Sequence, residues 1–247
     1  MSSPNSDAPI SLSDDGLVEI LKRLNPMELI NIRRASRRVS RLADEACAHT
    51  TLIDIEYRGH VPFNNRATSH YLNGEPMNID DEFALCGHLL RYFTHVSDVR
   101  LRIKALKKDS FDAFCQQVNE HGSKLTHLRL AADRFALTRE DIMLEQLAQC
   151  APRLRFVLFG DGVSERDMRE FMKAASSVTG VELHISSDRI AGQLFRESSV
   201  ARLESIAIRG SVYWWELGQT LLPQLALGVK EHLTEEEQGP LRKLHFR

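Results

Sequence analysis

The chain has 247 residues, 43% of them hydrophobic, with 32 Lys+Arg against 34 Asp+Glu and a formal net charge of -2. That length and apolar content suffice for a sizeable core, in one elongated domain or in a small domain followed by a larger one. The near-neutral balance excludes a general polyanion binder, which would be basic across a whole domain.

The opening MSSPNSDAPIS has neither the basic n-region nor the apolar h-region of a signal peptide, and residues 1–9 read as a disordered lead-in. No later stretch approaches the roughly 18 uninterrupted apolar residues of a membrane span, so the expected home is cytosol or nucleus, away from membranes. From Ser13 the apolar residues Leu17, Ile20, Leu21 and Leu24 fall at helical spacing, with Ser13 placed to cap and Asp14 and Asp15 favourable to the helix dipole. A second helix is expected from Asn25-Pro26-Met27-Glu28, where Asn25 caps, Pro26 suits the first helical position and Glu28 reaches back to the cap; its apolar side is Leu29, Ile30 and Ile32. A third stripe, Val39, Leu42, Ala43 and Ala46, follows Ser36 as cap. Between the second and third stripes lies NIRRASRRVSRL, with five arginines (Arg33, Arg34, Arg37, Arg38, Arg41) in nine positions. Periodicity puts Arg37, Arg38 and Arg41 on the polar side of the third helix and Arg33 and Arg34 at the end of the second, where positive charge complements the dipole. Arg33-Arg34-Ala35-Ser36 and Arg37-Arg38-Val39-Ser40 also have the R-R-x-S form that basophilic kinases read, but both serines fall in or at the start of a packed helix. The plain reading is a solvated helix face.

ISLSDDGLVEILKRLNPMELINIRRASRRVSRLADE resembles an F-box, whose usual run is Leu-Pro, an acidic pair, a Leu/Ile helix, Leu-x-Pro-x-x-Leu and a Val-Ser-Arg-x-Trp-x-x-Leu segment. The matching residues are Leu12, Leu17, Ile20, Leu21, Leu24, Pro26, Leu29, Ser36, Arg37 and Leu42; Ser13 stands where the family has proline, and Val39 where it usually has tryptophan. The resemblance implies a three-helix domain over 10–48 that binds a Skp-type adaptor through Leu12, Leu17, Ile20, Leu21, Pro26, Leu29 and Ile32.

After Cys47 the pattern changes. Leu52 opens LIDIEY, an early strand, and Tyr57 to Met77 reads as an extended loop. Then six segments share the template apolar-x-x-apolar-x-apolar: VSDVRL (Val96), LTHLRL (Leu125), LRFVLF (Leu154), VTGVEL (Val178), LESIAI (Leu203) and LRKLHF (Leu241), starting 29, 29, 24, 25 and 38 residues apart. The first four intervals sit at or near the roughly 20 to 29 residues of a leucine-rich repeat, in which each unit lays one strand on a shared sheet and returns by a helix. Helical stripes fill the gaps in SFDAFCQQVNEHGSK, TREDIMLEQLAQC and SERDMREFMKAASS, and LAQCAPRLRFVLF is similar to the cysteine-containing repeat with one residue inserted between Cys150 and Pro152. The expected fold is α/β: an N-terminal three-helix F-box, then over 49–247 an irregular leucine-rich-repeat solenoid with parallel strands on the concave face and helices on the convex face.

Catalytic chemistry is sought and not found. FGDGV at Gly160 and Gly162 lacks the spacing and lysine of a phosphate loop, and the ten histidines form no HExxH and pair with no cysteine at ligand spacing. Cys47, Cys86, Cys115 and Cys150 lie about 30 to 40 residues apart with no C-x-x-C, and read as reduced, packed thiols. Asp80-Asp81-Glu82 and Glu235-Glu236-Glu237 read as solvated faces or helix starts. No cofactor or metal is implied. An F-box ahead of irregular repeats resembles the substrate receptors of Skp-cullin-F-box ubiquitin ligases, with a Skp-type adaptor and cullin scaffold as partners, a protein target, and no catalysis by this chain. A repeat scaffold that no longer recruits a ligase is the alternative. A nucleic-acid binder built on the arginine cluster is weaker, because no aromatic residue is interleaved with it.

Alternation along the strands points the template residues inward and those between them outward. The outward set proposed for substrate binding is Arg100, Arg102, His127, Arg129, Phe156, Leu158, Glu182, His184 and Arg209, with Ser205, Lys243 and His245 beside them. It predicts a net positive face, suited to an acidic or phosphorylated target, with Phe156 and Leu158 as a central apolar anchor. Tyr213, Trp214 and Trp215 either extend that patch or, the preferred reading, begin a helix and pack inward. The short run after the last template leaves little to cover the end of the sheet, a place for a partner or an atypical strand.

Overall fold

The computed structural model describes residues 12–59, 68–78, 81–104, 107–132, 144–160, 162–184, 202–209 and 243–246. The chain divides into two compact units, Met1–Thr50 and Thr51–Arg247. The expectations for residues 1–9, for Tyr213, Trp214, Trp215, for Glu235-Glu236-Glu237 and for the start of the helix in TREDIMLEQLAQC lie outside the described residues.

The first unit is three helices, α1 (Asp14–Leu21), α2 (Pro26–Ile32) and α3 (Arg37–Cys47), each started by the residue its sequence offers. Ser13 Oγ accepts from the Gly16 N–H at 3.2 Å, and Ser36 Oγ accepts from the Val39 N–H at 3.1 Å. Asn25 Oδ1 accepts from the Met27 N–H at 2.9 Å while Glu28 Oε2 accepts from the Asn25 N–H at 2.9 Å, which closes the capping box around Pro26. Val18, Leu21, Leu29, Ile30, Leu42, Ala43, Ala46 and Cys47 form the shared core, all at or below 7% exposure.

The second unit carries a nine-stranded sheet in the order β3-β2-β1-β4-β5-β6-β7-β8-β9, numbered β1 (Leu52–Gly59), β2 (Thr68–Leu72), β3 (Glu75–Met77), β4 (Asp98–Ile103), β5 (His127–Ala132), β6 (Phe156–Phe159), β7 (Gly180–His184), β8 (Ser205–Arg209) and β9 (Lys243–Phe246). From β1 through β4 to β9 every neighbouring pair is parallel and follows chain order. Helices α4 (Glu82–Leu90), α5 (Lys108–His121), α6 (Leu144–Cys150) and α7 (Glu165–Ala174) occupy the connections as far as β7. The template explains the core: Val96, Val99 and Leu101, then Leu125, Leu128 and Leu130, then Leu154, Val157 and Phe159, then Val178, Val181 and Leu183, are all at most 2% exposed. Leu203 and Ile206 continue the pattern. Helix rings complete the core: Phe83 of α4 and Phe111 of α5 meet edge to face at 5.3 Å, and Phe171 of α7 meets Phe159 of β6 at 5.4 Å.

A repeated hydrogen bond sets the pitch from one unit to the next. The carbonyl of Thr51 accepts from both Ser97 and Asp98 N–H groups, that of Ser97 from Thr126 and His127, that of Thr126 from Arg155 and Phe156, that of Arg155 from Thr179 and Gly180, and that of Thr179 from Glu204 and Ser205, all between 2.7 and 3.1 Å. One carbonyl thus takes two donors just where each of β4 to β8 begins.

Two expectations are corrected. Tyr57 to Met77 is not simply a loop: β1 runs on to Gly59, and β2 and β3 add to its outer side as an antiparallel meander. Asn73 (φ 50°) and Gly74 (φ 89°) make the tight turn, both in the left-handed region that asparagine and glycine tolerate. The Asn73 side chain also accepts from the Asp54 N–H at 2.7 Å and so ties the turn to β1. Asp81 and Glu82, read as a solvated face or a helix start, do start α4, Asp81 capping it by accepting from the Ala84 N–H; Glu82 is however not solvated, being 1% exposed and bonded to His70 Nε2 at 2.8 Å. The burial of Phe111 yields a prediction. Phe111→Ala removes a fully enclosed ring and its Phe83 contact, and is expected to destabilise the repeat unit by about 3–5 kcal/mol, read as a lower urea midpoint with unchanged slope.

Candidate functional site

Two surfaces carry the sequence-predicted sites, one on each unit. On the helical unit the seven expected adaptor-binding residues separate by burial. Leu12 and Ile20 are exposed at 43% and 48%, and Leu17 and Ile32 are half-buried. Leu21 and Leu29, at 4% and 1%, together with Pro26, are interior; they pack the three-helix core and offer no free surface. The apolar stripe of α1 is wider than the core can absorb: its inner edge, Val18 and Leu21, packs inside, and its outer edge, Leu17 and Ile20, remains outside.

Part of the arginine cluster reaches the start of α1. Arg38 donates through Nε to Asp14 Oδ1 at 2.8 Å and through Nη2 to the Leu12 carbonyl at 3.0 Å; Arg41 Nη2 reaches Asp14 Oδ2 at 2.6 Å. Arg33 pairs with Asp44 at 2.5 Å. Three of the five arginines therefore brace helix to helix, and two of them hold the turn that presents Leu12. Ser13 adopts φ -64°, the value proline would impose, so the serine keeps the backbone of the residue it replaces and adds a cap.

On the sheet, register arranges the outward side chains in rows. The first runs Asp98, His127, Phe156, Gly180; the second runs Asp54, Arg100, Arg129, Leu158, Glu182. Seven of the nine predicted residues (Arg100, His127, Arg129, Phe156, Leu158, Glu182 and His184) line one groove of about 250 Å³, together with Asp98. Arg102 lies apart, in a small recess with Asp54 and Glu56. Arg209 pairs in register with His184, but its side chain is outside the described residues, as are those of Lys243 and His245. Phe156 stands over Gly180, where an added Cβ would come within 2.8 Å of the ring, and His127 flanks it with ring centroids 5.7 Å apart. The bare backbone of Gly180 gives the ring its seat.

Two further expectations change here. Glu182 is only 8% exposed, with Oε1 3.3 Å from His184 Nε2. The face is also not net positive among its described side chains, since Asp54, Glu56, Asp98 and Glu182 make four carboxylates against the three guanidiniums of Arg100, Arg102 and Arg129. Asp54 and Glu56 escaped the sequence reading because the apolar template does not fit LIDIEY from its first leucine: Leu52 aligns with Asp98, so Ile53 and Ile55 turn inward and the acids turn out. Asp98 holds the register position of His127 and Phe156 but was missed because the outward set took Arg100 and Arg102 from its strand instead. Arg100 is chelated by Asp98 at 2.8 and 3.2 Å, which holds its proton more firmly.

Burial, with Glu56 nearby, holds the Asp54 carboxyl above the usual carboxylate range, and its Oδ1 is enclosed without a hydrogen-bond partner. A carboxyl raised in the folded state favours folding when protonated, so its contribution worsens as pH rises from the ordinary carboxylate value through the raised one. Asp54→Asn is accordingly expected to melt higher than the wild type at pH 7, with the gap closing as pH falls through that window. Gly180→Ala is expected to leave the melting temperature within a few degrees but to displace Phe156, visible as a change in its aromatic NMR shifts.

The four cysteines are free, and burial pushes their thiols up, that of Cys86 most simply because it is wholly enclosed. Such thiols are poor nucleophiles at neutral pH. Among the described residues no three His, Cys, Asp or Glu side chains gather to hold a metal ion, and no helix is long and apolar enough to cross a membrane.

Comparison with known proteins adds one match. No curated protein is significantly similar to the chain. Residues 10–47 match the F-box domain, the span that contains the three capped helices, the outward Leu12 and Ile20 and the arginine brace. This domain implies binding to a Skp-type adaptor, and the chain carries an F-box domain over residues 10–47.

Proposed function

We infer that the chain is a substrate receptor of a Skp-cullin-F-box ubiquitin ligase. Its helical unit docks on the Skp-type adaptor and so on the cullin scaffold, and its sheet face holds a target protein for ubiquitin transfer by the partner subunits. The observation that carries this reading is the F-box match at 10–47, together with two large apolar side chains left outside a well-packed helical core. The second unit supports the other half. Sequential parallel strands with helices in the connections support the reading of an irregular leucine-rich-repeat solenoid, and the strand face gathers arginines around an aromatic-aliphatic pair as binding hot spots do. The chain itself contributes recognition, and the covalent chemistry belongs to the ubiquitin-conjugating enzyme.

Leu12 and Ile20 are the residues to change, because they are exposed and their loss leaves the core intact. The full chain is expected to co-purify with the adaptor at micromolar concentration, and the double variant Leu12→Asp, Ile20→Asp to lose at least tenfold in affinity at an unchanged melting temperature. Failure of the wild-type chain to retain the adaptor would replace this reading with that of a scaffold independent of the ligase.

A further inference from the structure

We propose that the groove on the strand face takes a short segment of the target in which one carboxylate adjoins a large apolar side chain, the carboxylate on Arg129 and the apolar group on Phe156 and Leu158. The proposal rests on the assignment of this face to target binding and names the chemistry that the face selects.

The cations of the face are not equivalent. Arg100 is chelated by Asp98 and lies 3.9 Å from Asp54, so its charge is already balanced within the chain. Arg129, its register neighbour, makes no hydrogen bond or ion pair among the described residues and senses Asp54 only through space. On its other side, in register, stands Leu158, and Phe156 and His127 lie one row away. The groove therefore offers a half-buried guanidinium, unpaired among the described residues, at the border of an apolar ledge. A guanidinium fork matches a carboxylate in two parallel hydrogen bonds, and partial burial strengthens them.

Charge decides between a carboxylate and a phosphate. Asp98 lies on the rim of the same groove, Glu182 closes its far side, and Asp54 and Glu56 stand beyond Arg100. With Asp98 already spent on Arg100, a single negative charge is matched by the Arg129 guanidinium, whereas the second charge of a dianion has no further cation to meet among the groove's described arginines and lies near Glu182. Size points the same way: about 250 Å³ accommodates one large side chain and a carboxylate, and is too small for a folded element. The tilted His127 and Phe156 rings favour an aromatic occupant, which gains edge or offset contacts beyond its buried area. The carboxylate comes from a chain terminus after an apolar last residue or from an Asp or Glu beside one.

Fluorescence anisotropy with the full chain separates these. Four labelled peptides ending in Ser-Phe free acid, Ser-Phe amide, Asp-Phe amide and phosphoserine-Phe amide serve as probes. We expect one or both carboxylate peptides to bind at least tenfold more tightly than the Ser-Phe amide and more tightly than the phosphopeptide, their order identifying the source. Arg129→Gln should erase the advantage, Arg129→Lys retain part of it, and Phe156→Ala weaken every peptide, each at wild-type melting temperature. Should Arg129→Gln not fold, the lysine variant and the peptide order decide. Phosphopeptide binding as tight as the carboxylate's, or a carboxylate preference that survives Arg129→Gln, overturns the proposal. If no peptide binds while proximity labelling in cells still changes with Phe156→Ala plus Arg129→Glu, the carboxylate specificity falls and the target-face reading stands; an unchanged labelling pattern with intact folding removes both.

Discussion

Everything on the strand face depends on the doubled hydrogen bond that joins one unit to the next. Because each carbonyl from Thr51 to Thr179 accepts two N–H groups of the following unit, every strand starts at the same height as its neighbour. That common start is what aligns Val99 with Leu128 and Val157 inside and, on the other side, Arg100 with Arg129 and Leu158. A slip of one residue in any pair would exchange the inward and outward sets. The spacing of the first five templates varies from 24 to 29 residues without disturbing the rows, since the register is fixed at the strand starts and not by the length of the connections.

Much of this was legible in the sequence for reasons that are local. Caps are read from a residue and its third neighbour, so Ser13, Asn25, Glu28 and Ser36 announced the helices they start. The template residues are those the core must have, and every described one is buried. The strand-face residues followed by alternation alone, and seven of nine meet in one groove. What sequence spacing did not reveal depends on distant partners. Glu82 looks solvated until His70, twelve residues earlier, is placed against it. Leu21 and Leu29 carry the same side chain as Leu12, and only packing against Leu42 and its neighbours decides which become interior. The β2–β3 meander was readable from Asn73-Gly74, a pair whose left-handed preference marks a tight hairpin, but the polar residues around it masked the strands.

The arginine cluster illustrates how charge can be structural in a nearly neutral protein. Exposed ion pairs contribute between zero and about 1 kcal/mol each, too little for the three pairs of Arg33, Arg38 and Arg41 to hold the helical unit together. Their effect is directional instead. Arg38 binds a backbone carbonyl as well as a side chain, so it fixes the path of the chain into α1 and with it the position of Leu12. The strand face uses charge similarly: Asp98 occupies Arg100, and the neighbouring arginine is left to act on something else.

The meander at the start of the sheet has a consequence for how the molecule behaves among its own copies. A parallel sheet with one bare face invites a foreign strand onto its border, where unpaired backbone groups wait. Here the border strand is β3, three residues long, and its middle residue is Pro76, which has no N–H to give. A strand arriving from another molecule would find too few donors to form a ladder. The sheet thus closes itself off at this border chemically, and that border makes a poor seed for aggregation.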